Sequence, residues 1–565
     1  MDKTRLIVIG GSAAGPKAAA KARRINPDAQ ITILQKDMDL SIACCGYPYY
    51  IEGCFDDRNK LICTPAGIVR DSTFFLNVKD IDARTEVEVT AINRGEQMVT
   101  CKDLKSDAIY ELEYDKLVIC TGSTARKPPI PGIELEGITT LHSMHDSDYL
   151  RRIRDEGKVK RAIVVGGGAI GVETAEALCL SGMTVTIIEL LPQILPFLDE
   201  EIAKVVENYL RSQSVDVITQ NGVKEFLGED GRLTGVALQS GEVIECELVV
   251  LAIGVQPNAK LAADAGLAIG KLGGIVVDDY MQTSDPNIYA AGDCIEVKNI
   301  ITGNAVHAPL GDLANLEGRV AGENVMSGNN VAFPGTIQTG ICKTFDFVAG
   351  STGLSERVAR SLGYTNIQTV ISASPDKPDF MGAKLLISKM VVDCGTGKLL
   401  GYQSIGLGDV SRQIATAAMA IKGGLTIDDV TNADLPYAPP FSLAIDHFIA
   451  CAHVMQNKLK GRLMGISCAE VQSKLQDPNP PFLIDTRGPN EYEVMRLGVG
   501  EVLIPLGALR KRLHELPQDK EAEIVCFCKV SLRGYEAALI LMANGWRNVK
   551  VMEGGIAVWP YAREK

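Results

Sequence analysis

The chain has 565 residues, fifteen cysteines and a net charge of −13. Such a length implies roughly three to five domains, and the acidic balance excludes a nucleic-acid role for the chain as a whole. No apolar run approaches the roughly 18 residues needed to span a membrane, and cysteines without regular spacing read as reduced thiols rather than a disulfide framework.

In chain order, "MDKTRLIVIGG" enters a strand at once and leaves no room for a signal peptide, so a cytoplasmic location is expected. "TRLIVIGGSAAGPKAAAKARR" runs from an apolar strand through a glycine turn into an alanine-rich helix, and "QITILQ" follows as a second strand. This is the start of a dinucleotide-binding unit. Gly10 permits the tight turn, Gly15 lets the helix pack on the strand, and Ser12 stands where the second glycine usually sits. A pyrophosphate would lie at the helix N-terminus, where free amides and the dipole favour an anion. Gln35 takes the place of the usual acidic residue and can still accept from a ribose through its amide oxygen. Lys17, Lys21 and Arg24 share one face of this helix. Next, "LSIACCGYPYYIEG" sets Cys44 beside Cys45. Adjacent cysteines rarely bridge, because the peptide between them is strained; either one is a reactive thiol or both are packing residues.

"KRAIVVGGGAIGVETAEALCLSG" repeats the strand–turn–helix design with a complete fingerprint of Gly166, Gly168 and Gly171. Glu189 ends the strand after it, in the ribose position. A carboxylate there accepts from a 2′-hydroxyl and repels a 2′-phosphate, so NADH is favoured over NADPH. "YDKLVICTGS" and "ELVVLAIGVQPN" are strands ending in glycine turns, and "TSDPNIYAAGDC" is a strand whose end carries Asp293. The interleaving predicts that the first nucleotide domain (1–112 and 245–326) is interrupted by the second (113–244). Residues 327–455 read as an α+β domain, with strand "KLLISKMVV" and helix "DVSRQIATAAMAIKGG". "QNKLKGRLMG" reads as a linker (456–464), and 465–565 as a further α/β domain.

With these motifs in place, the layout resembles the flavoprotein disulfide reductases, with FAD in the first domain and NADH in the second. No C-x-x-x-x-C follows the first helix. "S-x-x-x-C-G-x-P-Y", from Ser41 to Tyr49, resembles instead the single-cysteine branch of coenzyme A disulfide reductases, NADH peroxidases and NADH oxidases. That resemblance makes Cys45 the redox cysteine and Cys44 a neighbour touching substrate. It implies FAD contacts at Gly11, Lys36, Thr121, Gly122 and Asp293, and further cofactor contacts at Glu173 and Gly254. Lys17, Lys21 and Arg24, with Ser41 and Asn315, match positions that contact coenzyme A. "DLPYAPPFSLAIDH" resembles the family's dimer-domain segment, in which Tyr437 would reach the partner subunit's active site. A second tyrosine of that family is replaced here, where Asp379 and Phe380 stand.

The last hundred residues resemble a rhodanese domain through "LIDTRGPNEY" and "CKVSLRGYEAALILMANGW", although "RLGVGEVLIP" replaces its "GHIPGA" motif. The resemblance makes Cys528 a sulfur-carrying thiol in a backbone cradle, with Arg533 beside it and Cys526 a packing residue. The fold expected is therefore α/β. It comprises two Rossmann-like dinucleotide-binding domains, an α+β dimerisation domain and an α/β rhodanese domain. The function expected is NADH-dependent reduction of a persulfide or polysulfide by a homodimer, with no metal and no membrane. Cys45 should lie inside at the flavin, and Cys528 in a shallow surface loop. Two alternatives are reduction of coenzyme A disulfide and peroxidase or oxidase chemistry through a Cys45 sulfenic acid. A third is a sulfur-transfer protein dominated by Cys528.

Overall fold

The computed structural model describes residues 3–564. The chain forms two compact units, one of residues 1–190 and 221–336, the other of residues 191–220 and 337–565.

In the first unit, β1 (Arg5–Ile9), α1 (Ala14–Ile25) and β2 (Gln30–Gln35) form the expected βαβ unit, joined by β3 (Asp82–Thr85) and β4 (Lys116–Ile119). A second unit of the same design follows, with β5 (Ile138–Thr140), β6 (Arg161–Val165), α2 (Ala169–Leu180) and β7 (Thr184–Ile188). The chain returns through β8 (Leu248–Leu251) and β9 (Ile288–Ala290) to the helix α3 (Gly311–Ser327). One sheet runs β9-β4-β1-β2-β3, all parallel, while β7, β6, β8 and β5 lie in that order in the other. Continuous apolar runs suit strands covered on both faces, and Leu6 to Ile9 and Val118 are buried.

These pairings correct the expected boundaries at 113 and 245. β4 belongs to the first sheet through β1, and β8 belongs to the second through β6. Each boundary therefore cuts one strand from its sheet, because a parallel sheet recruits strands from remote sequence.

The second unit contains a sheet in the order β10-β11-β14-β13-β12, with strands Gly340–Thr344, Phe347–Gly353, Ile367–Pro375 (β12), Leu385–Asp393 and Leu399–Gly406. Helices α4 (Val410–Lys422) and α5 (His447–Leu459) pack on it. Helix α5 runs into the expected linker, leaving about five connecting residues before the next strand. The C-terminal sheet is parallel, β15-β19-β18-β16-β17, built from Gly465–Ile466, Phe482–Asp485, Val502–Leu503, Ile524–Phe527 and Val549–Met552 (β19). Its helix α6 (Leu532–Ala543) follows β18 through the loop that carries Cys528. Among the described residues no helix is long and apolar enough to cross a membrane.

Candidate functional site

Glycine shapes the first fingerprint. Gly10 has φ +106°, and a Cβ there would stand 2.0 Å from the carbonyl oxygen of Cys120. The Gly11 N–H donates to Gln35 Oε1 at 2.7 Å, and the Gly167 N–H donates to Glu189 Oε2 at 2.6 Å. Gln35 and Glu189, expected at a ribose, thus also hold the glycine turns themselves. Neither α1 nor α2 has a side-chain cap or an acidic residue in its first turn. Their leading amides are left for an anion, and a Cβ at Gly168 would meet open space. The residues present fit two dinucleotides. Lys36 pairs instead with Glu88 at 2.8 Å.

Thr121 donates to the Asn258 carbonyl at 2.6 Å, and Gly122 and Gly254 turn with φ +68° and +92°. Ser123 donates to Asp293 Oδ2 at 3.0 Å, while burial pushes the Asp293 carboxyl up. Glu317, in α3, escaped the sequence reading. Its Oε2 accepts from the Gly292 N–H at 2.9 Å, and burial pushes its carboxyl up to about 7. The available signal was the first of two glutamates in "NLEGRVAGEN", set directly before a glycine.

The cysteine pair forms one 3₁₀ turn, Cys44–Gly46, ahead of the short helix Tyr47–Glu52. Ser41 has φ +55°, and its N–H donates to the Gly11 carbonyl at 2.7 Å, tying the turn to the phosphate loop. Cys44 Sγ lies 3.9 Å from Ser12 Oγ, so the neighbour thiol faces the fingerprint. Cys45 Sγ looks toward the first residue of α3, 3.9 Å from where a Cβ on Gly311 would stand. That helix N-terminus favours a thiolate. Cys45 is exposed in the single chain, which corrects the expected interior position, because the short 3₁₀ turn holds it at the surface of the polypeptide. Its neighbours still desolvate the thiol enough to push it up. Cys44, Glu173 and Asp293 add to that shift in this order. Burial and these neighbouring charges disfavour the thiolate, while the α3 N-terminus works in the opposite sense.

The cationic face of α1 is less uniform than its spacing predicted. Lys17 and Arg24 are exposed, but Lys21 pairs with Glu323 of α3 at 2.9 Å. Asn315 donates back to the Gly311 carbonyl at 2.7 Å.

In the second unit, Cys528 begins the loop into α6. The residue is only 1% exposed, which corrects the expected shallow surface position: the loop folds back under its own neighbours. Arg533 makes two hydrogen bonds to Glu491, at 2.6 and 2.8 Å, and the Cys528 thiol is within its reach. Arg533 in turn holds the Glu491 carboxyl down at about 2. Cys526 is fully buried and burial pushes its thiol up to about 12, as suits a packing residue. Tyr437 is 54% exposed, in a stretch that also exposes Phe441 and Ile445. Phe380, in the 3₁₀ turn Asp379–Met381, is exposed as well.

The comparisons agree with this anatomy. The family model described as pyridine nucleotide-disulphide oxidoreductase matches residues 4–309, and that family's dimerisation domain matches residues 340–448. A rhodanese-like domain matches residues 467–561. The chain is 34% identical over 455 residues to an NAD(P)H coenzyme A polysulfide/persulfide reductase of Pyrococcus horikoshii, covering 80% of this chain and 99% of that one. It superposes with a TM-score of 0.93 and 40% identity on an NAD-dependent persulfide reductase from A. fulgidus, covering 98% and 100% of the two chains. The reduced CoADR-RHD of Bacillus anthracis gives a TM-score of 0.91 at 34% identity, covering 99% and 98%.

Proposed function

Because the chain belongs to the pyridine nucleotide-disulphide oxidoreductases, we propose that it is an FAD-dependent, NADH-linked reductase of sulfane sulfur carrying a rhodanese-like sulfur-binding domain. The net reaction is R–S–SH + NADH + H⁺ → R–SH + H₂S + NAD⁺. FAD, when bound, supplies the two-electron relay between NADH and the cysteine. Gly10 to Gly15, Thr121, Gly122 and Asp293 would hold it, and Gly166 to Gly171 with Glu189 would hold NADH.

Cys45 acts as the nucleophile. Its thiolate attacks the outer sulfur, the S–S bond breaks, and R–S⁻ leaves with the electron pair. The resulting Cys45 persulfide needs two electrons and protons to release hydrogen sulfide and return to thiolate. No second cysteine is required for that cycle. Cys528 accepts or relays sulfane sulfur. The dimerisation domain assembles a homodimer, in which Tyr437 reaches the partner's site and protonates the departing thiolate. Lys17 and Arg24 offer cations to a coenzyme A tail. All fifteen cysteines are free thiols, which supports a reducing, cytoplasmic setting.

The observation that carries this reading is the coexistence of two differently housed thiols. Cys45 lies between a dinucleotide fingerprint and a helix N-terminus, and Cys528 lies in a loop braced by Arg533 and Glu491. Steady-state NADH oxidation with coenzyme A persulfide, glutathione persulfide, polysulfide, coenzyme A disulfide and peroxide tests it. Persulfides should turn over fastest, releasing one hydrogen sulfide per NADH. Faster turnover of peroxide or coenzyme A disulfide would overturn the assignment.

A further inference from the structure

The strand β12 lies at the edge of its sheet, so its outward amides need partners from elsewhere. One of them, the Ile371 N–H, donates to Glu553 Oε2 of the rhodanese-like domain at 2.9 Å. Lys458, in the last turn of α5, pairs with Glu553 Oε1 and also donates to the Thr369 carbonyl of β12, at 2.7 Å. Glu553 is 6% exposed, and the Lys458 side chain 15%. A buried, hydrogen-bonded ion pair thus closes the seam between the two domains. Gly465 leaves room for it: a Cβ there would stand 1.7 Å from Glu553 Oε1.

Glu553 also belongs to the segment that backs the sulfur-carrying loop. Ser531 Oγ donates to the carbonyl of Met552, the residue before it. The Ile556 and Ala557 amides donate to the carbonyls of Cys528 and Lys529, each at 3.0 Å. Gly555 packs so closely that a Cβ would lie 2.3 Å from the Cys528 carbonyl oxygen. One short segment is therefore bonded to the Cys528 loop on one side and to the edge of the dimerisation-domain sheet on the other.

We propose that Glu553 is a positioning residue for sulfur transfer at Cys528: paired with Lys458, it ties the back of the loop to β12, so that the loop keeps its shape only while the domain is seated. This rests on Cys528 being the sulfur carrier. Removing one partner of such a pair leaves a buried charge, which draws in water and loosens the seam. The loop then loses the back wall that orients Cys528.

The test uses the full-length, FAD-loaded enzyme with thiosulfate and cyanide as probes. The Cys528 thiolate attacks the sulfane sulfur, the S–S bond breaks and sulfite leaves with the electron pair. Cyanide then removes that sulfur as thiocyanate and restores the thiolate, with no net electrons entering. Lys458→Met alters no residue of the rhodanese-like domain. It should lower kcat for transfer about tenfold with KM for thiosulfate unchanged, and speed hydrogen exchange at the Ile556 and Ala557 amides. Lys458→Arg should restore both, and NADH-dependent ferricyanide reduction should not change. Glu553→Gln should behave as Lys458→Met; if it fails to fold, Lys458→Met decides alone. Wild-type transfer in Lys458→Met, or slowed transfer without faster exchange, overturns the proposal. Transfer that survives Cys528→Ser instead overturns the carrier role on which it rests.

Discussion

Cys45 and Cys44 are chain neighbours in different settings. The first faces the N-terminus of α3 and the second faces Ser12 of the phosphate loop. In the proposed reductive cycle Cys45, not Cys44, is the nucleophile, so Cys45→Ser should lower NADH-dependent hydrogen sulfide release by roughly a thousandfold or more. It should still bind FAD and pass electrons from NADH to ferricyanide. Cys44→Ser should cost less than about tenfold, since it removes a neighbour and no reacting atom. A reversed ranking of the two rates would reassign the nucleophile. Glu317 belongs to the same scale. Its carboxyl is pushed up to about 7 by burial, from an ordinary value near 4.5. Between those values the folded state holds a proton that the unfolded state has lost. The stability associated with the protonated carboxyl is full below about pH 4.5 and is lost as pH rises through about 7. The shift corresponds to roughly 3 kcal/mol. Glu317→Gln keeps an acceptor for the Gly292 N–H and cannot titrate. Its Tm should rise relative to the parent as pH goes from 5 to 8; a constant difference across that range would sink the assignment.

Beside the dinucleotide fingerprint, α1 packs closely against α3. Gly318 and Gly322 allow it: a Cβ on Gly318 would lie 2.4 Å from the Ala14 carbonyl oxygen, and one on Gly322 would lie 2.2 Å from that of Ala18. The obstacle in each case is backbone, which cannot swing aside. Gly318→Ala should therefore push α3 off α1, cost about 1–3 kcal/mol, and weaken retention of the flavin by shifting both helix N-termini. Unchanged Tm and flavin content on dialysis would mean that the two helices have slack. The same packing supplies Glu323 to Lys21. A face that looks uniformly cationic along α1 is in fact partly neutralised from outside it.

At the scale of the whole molecule, the second unit exposes Tyr437, Phe441 and Ile445, as a surface meant for a second copy would. If Tyr437 serves the partner's Cys45, inactive subunits should complement each other. Mixed dimers of Cys45→Ser and Tyr437→Phe subunits would hold one intact site, with both defects gathered in the other. Random assortment of equal amounts should recover about a quarter of the parent activity. Recovery no better than the average of the two separate variants would mean that each chain uses its own tyrosine or none.

Much of the fold was legible in the chain itself. The strand–turn–helix units, their glycines, the paired cysteines and the rhodanese-like loop are local patterns. Hydrophobic period and glycine spacing act over a few residues, so they can be read without knowing what lies alongside. What the local pattern cannot contain is pairing across distance. Lys116–Ile119 and Leu248–Leu251 each completed the sheet on the far side of an expected boundary, because a parallel strand is chosen by its neighbours in space. The Lys21–Glu323 pair, the Glu317 carboxylate under Gly292, and the Glu553–Lys458 seam all join residues from separate elements. Their burial, and with it their chemistry, exists only after packing removes water. The same reason explains Cys528: its identity and loop came from the sequence, but its 1% exposure was decided by the segment folded against it.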